Sequence, residues 1–241
     1  MQNQQKMSAK SNFSRALRTT LGLTAIIWGI HIFQYVTRID LGTLGIYPRE
    51  TFGLKGILFS PFIHANWGHL LSNTPPLMVL TGLLFFFYRK FAWSVFVTLY
   101  LLTGLAVWLL ARESFHIGAS GLIYALVSFI FWTGLFRRNV KSIILALLVG
   151  MVYGSMFLGI VPNQAPNISW ESHLLGGVMG IVVAYLYRHQ TEEDEAPKVY
   201  DYETEEHTPE HFLDRDTFDK TKREREIEDR FNRWEQSDTW L

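Results

Sequence analysis

The sequence predicts an all-α integral membrane protein, a bundle of six transmembrane helices followed by a charged tail. Three observations lead to this prediction: apolar segments of spanning length, the absence of a polar face on them, and a change of charge near residue 190. The apolar segments recur at residues 19–36, 67–88, 91–110, 118–136, 142–160 and 171–187. Each is close to the roughly 20 residues that a helix needs to cross the hydrocarbon core of a bilayer. They are numbered segments one to six below.

The segments differ in character along the chain. Segment one follows a polar stretch, residues 1–18, which we predict to be a cytoplasmic N-terminal tail. Because more apolar segments follow it in place of a cleavage site, it is not a secretory signal peptide. Segments three and five include "FVTLYLLTGLAVWLL" and "SIILALLVGMVYGSMFLGI", which carry no charge and no polar stripe of the kind a water-soluble helix needs. Segments two, four and six have polar residues near their first turns, and segment six is short and rich in glycine.

Charge divides the chain into two parts. Residues 1–190 hold 14 Lys and Arg against four acidic residues, whereas residues 191–241 hold 8 against 18. In the membrane part, six spans put ten of the basic residues and no acid on one side. The opposite side then carries four basic residues and all four acids. By the positive-inside rule, this asymmetry predicts that both termini are cytoplasmic.

The high charge and low apolar content after the last segment predict a partly disordered cytoplasmic tail over residues 189–241. This leaves residues 19–188 as the membrane domain. Within the tail, a helix is predicted at residues 219–236, where Ile227, Phe231 and Trp234 follow helical spacing. That strip is typical either of a docking surface for a cytoplasmic partner or of a solvated helix with a small apolar face.

Polar residues from three segments are predicted to meet at one depth of the membrane. They are His64, His69 and Asn73 at the start of segment two, Ser120 in the first turn of segment four, and His173 in the first turn of segment six. In the predicted topology all three segments enter from the external side. His69 and Asn73 are four residues apart and therefore share a helix face. The sequence thus brings a hydroxyl, imidazoles and an amide to the outer leaflet.

These groups are the components of an acyl-transfer site. Serine attacks a carbonyl only when a base accepts its proton, and imidazole is suited to that near neutral pH. His173 is the candidate base for Ser120. The side chains of His69 and Asn73, with the main-chain N–H of Ser120, are candidate oxyanion donors. Glu171 lies on another helix face from His173, so a serine–histidine dyad fits better than a triad with a carboxylate.

Other chemistries lack the residues they need. The chain has no cysteine, which excludes thiol nucleophiles, disulfides and thiolate metal sites. It has no H-E-x-x-H motif for a zinc protease, and residues 56–188 contain no aspartate for an intramembrane aspartyl pair. We therefore expect no metal, no cofactor and no nucleic-acid partner. Serine chemistry remains.

Three motifs together resemble the rhomboid family of intramembrane serine proteases. They are "HANWGHLLSN" (H-x4-H-x3-N), "GASG" (G-x-S-G) and "SHLLGGVMG" (H-x2-G-x3-G), in the order of that family and on the matching segments. The resemblance covers residues 19–188. It implies that Ser120 is the nucleophile, that His173 is the base, and that His69 and Asn73 line the oxyanion site.

The resemblance also assigns residues that support the site. His64 and Gly118 match supporting positions, and Tyr124 matches an aromatic residue that packs against the catalytic imidazole. Gly176 and Gly180 have the G-x-x-x-G spacing of closely packed membrane helices, which we expect to bring segment six against segment four. On its own, a serine beside glycines at a helix start is more often a cap or a packing residue.

By this resemblance the chain is expected to be an endopeptidase of the bacterial inner membrane, cleaving transmembrane protein substrates within the lipid bilayer. One departure is the first external loop, which is short and lacks the Trp-Arg pair of bacterial relatives. The alternative is a non-catalytic relative that binds client transmembrane helices. The retained serine and histidine favour the protease.

Overall fold

The structure is a computed structural model and describes residues 2–162, 169–190, 192 and 219–237. The chain divides into two compact units, residues 1–195 and 196–241, which are described separately below. The α-helices are α1 (Gln2–Thr37), α2 (Gly56–Phe59), α3 (Trp67–Phe87), α4 (Ala92–Leu110), α5 (Ser120–Arg137), α6 (Val140–Tyr153), α7 (Trp170–Leu186) and α8 (Lys222–Ser237). Short 3-10 helices lie at Gly42–Leu44, Thr51–Lys55, Ser60–Phe62 and Gly154–Ile160. Over the described ranges the only β pairing is an isolated bridge between Ile46 and His116.

The all-α fold and its membrane character are confirmed. Five of the described helical stretches are long and apolar enough to cross a membrane: Ser11–Thr37, Trp67–Phe87, Ala92–Leu110, Ser120–Arg137 and Val140–Ile160. The helix of segment six, α7, is also apolar but has only 17 residues. A helix of that length is at the lower end of the spanning range. The count of six spans therefore stays a prediction.

The first helix is longer than segment one. α1 begins at Gln2, not near residue 19, and runs without interruption to Thr37. The added stretch, "QNQQKMSAKSNFSRALRT", contains no glycine or proline and several good helix formers, so nothing in it stops the helix. The predicted N-terminal tail is thus a helical extension of the first apolar segment.

Helix α5, which begins at Ser120, lies at the centre of the bundle. α3, α4, α6 and α7 all pack against it, α1 packs on α3, and α4 also packs on α7. Its side chains at Ala125, Leu126, Phe129 and Ile130 are fully buried. This central position fixes Ser120 relative to the helices that carry the other polar residues.

Glycines set the close contact between α5 and α7. A Cβ at Gly176 would lie 2.1 Å from the main-chain oxygen of Gly121, and one at Gly180 would lie 2.5 Å from the oxygen of Ala125. Because a Cβ atom cannot approach another atom so closely, only glycine fits at these two positions. Membrane helices gain little from burying apolar surface against one another, so close backbone packing of this kind is a main source of their association.

The second unit contains helix α8, close to the predicted range of 219–236. Its N-terminus is capped by Thr221, whose main-chain N–H and hydroxyl both donate to the carboxylate of Glu224. These bonds hold the pKa of the Glu224 carboxyl below its usual range. Ile227, Phe231 and Trp234 are each about three-fifths exposed. A cytoplasmic partner for this face stays a prediction.

Candidate active site

The site is built around the turn that begins α5. Gly118 has a φ of +103°, a conformation that favours glycine, and its N–H donates to the main-chain oxygen of Ser60 at 2.8 Å. Ser120 is then the first residue of α5. The "GASG" motif therefore presents a serine hydroxyl at a helix N-terminus, with the turn before it held by the loop that precedes α3.

Ser120 and His173 are in hydrogen-bond contact. The Oγ of Ser120 lies 2.9 Å from Nε2 of His173, and Nδ1 of the same ring lies 2.9 Å from the main-chain oxygen of Gly159. Because a carbonyl oxygen only accepts, Nδ1 carries a proton in this arrangement. In the neutral ring Nε2 is then the acceptor, so Ser120 donates its hydroxyl proton to it. The imidazole is oriented as a base toward the serine.

Tyr124 holds the imidazole from one side. Its ring is stacked on His173 with centroids 4.2 Å apart and planes 6° apart. The Tyr124 hydroxyl donates to the main-chain oxygen of Met156 at 2.8 Å. The imidazole is therefore fixed in its plane by a stacked ring and in its rotation by two hydrogen bonds.

His69 and Asn73 of α3 converge on the turn before Ser120. A Cβ at Gly118 would lie 2.6 Å from Nε2 of His69 and 3.5 Å from Nδ2 of Asn73, so both side chains face this turn. Asn73 is buried, and its Nδ2 has no hydrogen-bond partner among the described residues. A buried donor left without a partner is costly, and functional sites are one place where such groups are retained.

His64 lies behind this pair. It is fully buried, and its ring centroid is 5.0 Å from that of His69. Burial, reinforced by the neighbouring His69, lowers the pKa of His64 to about 4. Its ring is therefore neutral at neutral pH and packs against His69.

A small cavity with a mixed polar and apolar wall adjoins Ser120. Its volume is about 30 Å³, and Ser60, Thr103, His116 and Ser172 contribute to its wall. His116 is buried, and its Nδ1 lies 2.5 Å from the hydroxyl of Ser169. Tertiary contacts thus bury this loop histidine in the wall of the cavity that Ser120 also lines. The cavity is large enough for one water molecule, and several polar side chains in its wall could bind that water.

The loop between α1 and α3 is attached to the turn that leads to Ser120. Ile46 and His116 exchange two main-chain hydrogen bonds of 2.9 Å each. Arg49 donates from its main chain to the oxygen of Trp108 at 2.9 Å and from its guanidinium to the oxygen of Ala111 at 2.7 Å. Arg49 thus attaches the loop to the end of α4, although the loop has no Trp-Arg pair.

Glu171 takes no part in orienting His173. It is buried and forms an ion pair with Arg112 at 3.3 Å. The hydrogen bonds of the imidazole go to Ser120 and to Gly159. The Gly159 oxygen, which binds His173 Nδ1, was not predicted from the sequence, because every residue has the same main-chain oxygen. Only its residue type, glycine, could have indicated a close contact at this position.

A comparison with protein families identifies the fold. The model of the rhomboid domain matches residues 52–190, more than half of the chain, and includes Ser120, His173, His69 and Asn73. The chain belongs to the rhomboid family. The matched region of this rhomboid begins in the loop between α1 and α3 and ends after α7, so helix α1 and the charged tail lie outside it.

Relatives of this rhomboid occur in mycobacteria. It is 38% identical over 177 residues to uncharacterized proteins of Mycobacterium tuberculosis and Mycobacterium bovis, covering 70% of this chain and 73% of each relative. An uncharacterized protein of Mycobacterium leprae is 37% identical over 177 residues, or 70% of each chain. These matches support membership of the rhomboid family, and the names of these relatives state no activity.

Proposed function

We propose that this rhomboid is an intramembrane serine endopeptidase that hydrolyses peptide bonds in or near the transmembrane segments of membrane proteins. The observation that carries the proposal is the 2.9 Å contact between Ser120 Oγ and His173 Nε2, on a ring whose other nitrogen is bound to the oxygen of Gly159. A serine hydroxyl, a correctly oriented base and a buried amide donor beside them are the requirements of acyl transfer.

In the first step, Ser120 Oγ attacks the carbonyl carbon of the scissile bond while its proton moves to His173 Nε2. The carbonyl oxygen becomes an oxyanion, and Asn73 Nδ2, His69 and the N–H of Ser120 are the donors near it. Collapse of this intermediate breaks the C–N bond. The proton on Nε2 then passes to the leaving amine, and the acyl group stays on Ser120 as an ester.

In the second step, water hydrolyses the ester. Nε2 accepts a proton from the water as its oxygen attacks the acyl carbon, and returns that proton to Ser120 Oγ when the ester bond breaks. Throughout, Nδ1 keeps its proton because Gly159 offers only an acceptor. The cavity beside Ser120 is a candidate place for the water that this step consumes.

The setting of the reaction follows from the membrane domain. We propose that both termini are cytoplasmic, since ten of the 14 basic residues before the tail lie on that side in a six-span topology. The site is then near the outer leaflet of a bacterial inner (plasma) membrane. A substrate helix has to unwind locally there, because a helical peptide bond has its main-chain partners occupied.

Labelling with a fluorophosphonate tests the proposal directly. The full-length protein in detergent micelles or proteoliposomes is expected to form a covalent adduct at Ser120. Ser120→Ala and His173→Ala should abolish the adduct. Ser128→Ala is the matched control, since Ser128 lies on the same helix with its hydroxyl bound to the oxygen of Gly177. This control variant should label like the wild type.

The competing function is a non-catalytic protein that binds client transmembrane helices. A folded wild-type protein that fails to react with the probe, and that cleaves no member of a set of reconstituted transmembrane peptides, would favour that function. Labelling that persists in Ser120→Ala would show that another serine is the nucleophile.

A further inference from the structure

The 3-10 helix Gly154–Ile160 contacts both of the stacked rings through its main chain. The oxygen of Met156 accepts from the Tyr124 hydroxyl at 2.8 Å, and the oxygen of Gly159 accepts from His173 Nδ1 at 2.9 Å. The two rings are themselves stacked 4.2 Å apart. Two carbonyls on one short stretch, three residues apart, thus determine the orientation of the base and of its stacking partner.

The end of a helix supplies such carbonyls. Oxygens in the last turn have no following N–H within the helix to bind, so they accept from other donors. Gly159 lies in that last turn, one residue before the helix ends at Ile160. Its oxygen is therefore available to a side chain of α7, and His173 occupies it.

Position 159 has no room for a side chain. A Cβ there would lie 2.0 Å from the Tyr124 hydroxyl oxygen, 3.2 Å from the ring carbon that carries it, and 3.3 Å from His173 Nδ1. The φ of Gly159 is outside the left-handed region, so alanine is excluded by this contact and not by backbone strain. One atom, the hydroxyl oxygen of Tyr124, accounts for the severe part of the clash.

We propose that residues 156–159 are a positioning element for the catalytic base. In this role the Gly159 oxygen takes the place that a carboxylate occupies in three-residue serine protease sites, and keeps the proton on Nδ1 so that Nε2 faces Ser120. The Met156 oxygen fixes Tyr124, which holds the plane of the imidazole. The inference rests on the proposed function, because it assigns a reason for the orientation of that site's base.

Four variants of the full-length protein test the element. Gly159→Ala forces either the Tyr124 hydroxyl or the 159 backbone to move, and a displacement of about 1 Å in a catalytic arrangement can reduce the rate about 10²-fold. Gly154→Ala is the matched control, because a Cβ at that glycine of the same 3-10 helix meets nothing within 4 Å. Tyr124→Phe removes the obstructing oxygen, and Gly159→Ala/Tyr124→Phe combines both changes.

The expected results form a pattern that general destabilisation does not produce. Gly159→Ala should lose about 10²-fold in kcat and in the rate of fluorophosphonate labelling with KM nearly unchanged. Gly154→Ala should match the wild type, and Tyr124→Phe should lose only a few-fold. The double variant should be faster than Gly159→Ala alone and approach Tyr124→Phe. Melting temperatures, measured on the same samples, should not follow this order.

Two outcomes would overturn the inference. One is a Gly159→Ala protein that labels and cleaves as fast as Gly154→Ala. The other is a double variant no faster than Gly159→Ala, since the Tyr124 hydroxyl would then not be the obstacle. Both require an active wild type. A folded wild type without labelling or cleavage would instead contradict the proposed function, so the two failures are distinguishable.

Discussion

Gly176 on α7 lies so close to the main-chain oxygen of Gly121 on α5 that a Cβ at position 176 would be 2.1 Å from it. Gly121 follows Ser120 in the chain, and Gly176 is three residues after His173. This contact therefore lies within one helical turn of the dyad on both helices. It sets how far the imidazole is from the serine hydroxyl.

Substitution of that glycine should separate the two helices. In Gly176→Ala the Gly121 oxygen and the new methyl group cannot both keep their positions, so α7 moves away and the contact between Ser120 and His173 lengthens. We expect a loss of activity of about 10²-fold or more and a lower melting temperature. Gly177→Ala is the control, since a Cβ there meets nothing within 4 Å. Equal activity of the two variants would contradict this account of the packing.

The serine and the histidine should behave as one unit. Ser120→Ala and His173→Ala are each expected to abolish cleavage of a transmembrane substrate, and the double variant should be no slower than either single one. Groups that act in the same step lose their contribution together. Single-turnover rates for the three proteins provide the comparison. Near-normal turnover in either single variant would refute the dyad.

Asn73 is predicted to stabilise charge that develops only in the transition state. Asn73→Ala should lower kcat by about 10²–10³-fold, as removal of an oxyanion-hole amide does. KM should change little, because the substrate carbonyl is uncharged in the ground state. His69 also faces the turn at Gly118, so the loss can be at the smaller end of that range. An unchanged kcat would remove Asn73 from the oxyanion site.

His64 is predicted to make the folded state sensitive to acid. Its pKa is lowered from 6.5 to about 4, mainly by burial. Between these pH values the unfolded chain binds a proton at His64 that the folded protein does not. The contribution of His64 to the free energy of unfolding is therefore fully present above pH 6.5 and is lost as the pH falls toward 4. His64→Gln should reduce this loss, whereas His189→Gln, at an exposed position after α7, should not. Melting temperatures across that pH range measure the difference. Identical pH dependence in wild type and His64→Gln would contradict the prediction.

The orientation can be checked independently of activity. A reporter enzyme that works only outside the cytoplasm should be active when fused after residue 113 and inactive when fused after residue 139. A reporter that is fluorescent only in the cytoplasm should give the opposite pattern. These positions lie in the connections before α5 and after it. A reversed result would place Ser120 near the cytoplasmic side of the membrane and the charged tail outside the cytoplasm.

The fold class and the types of residue that meet at the site could be predicted from the sequence alone. Apolar segments of spanning length leave a helical bundle as the solution that satisfies every main-chain polar group in lipid. Polar side chains in such segments are too costly to be scattered without partners, so their positions near segment starts indicated which helices share a site. For this reason Ser120, His173, His69 and Asn73 could be selected before any contact was known.

How the imidazole of His173 is held depends on tertiary contacts that no sequence pattern predicts. Every residue has the same main-chain oxygen, so no pattern in the sequence reveals that the one at Gly159 faces His173 Nδ1 or that the one at Met156 accepts from Tyr124. The same applies to the two hydrogen bonds between Ile46 and His116 that attach the loop between α1 and α3. Side-chain chemistry is encoded residue by residue, whereas the partner of a main-chain group depends on which helix end or loop packs beside it.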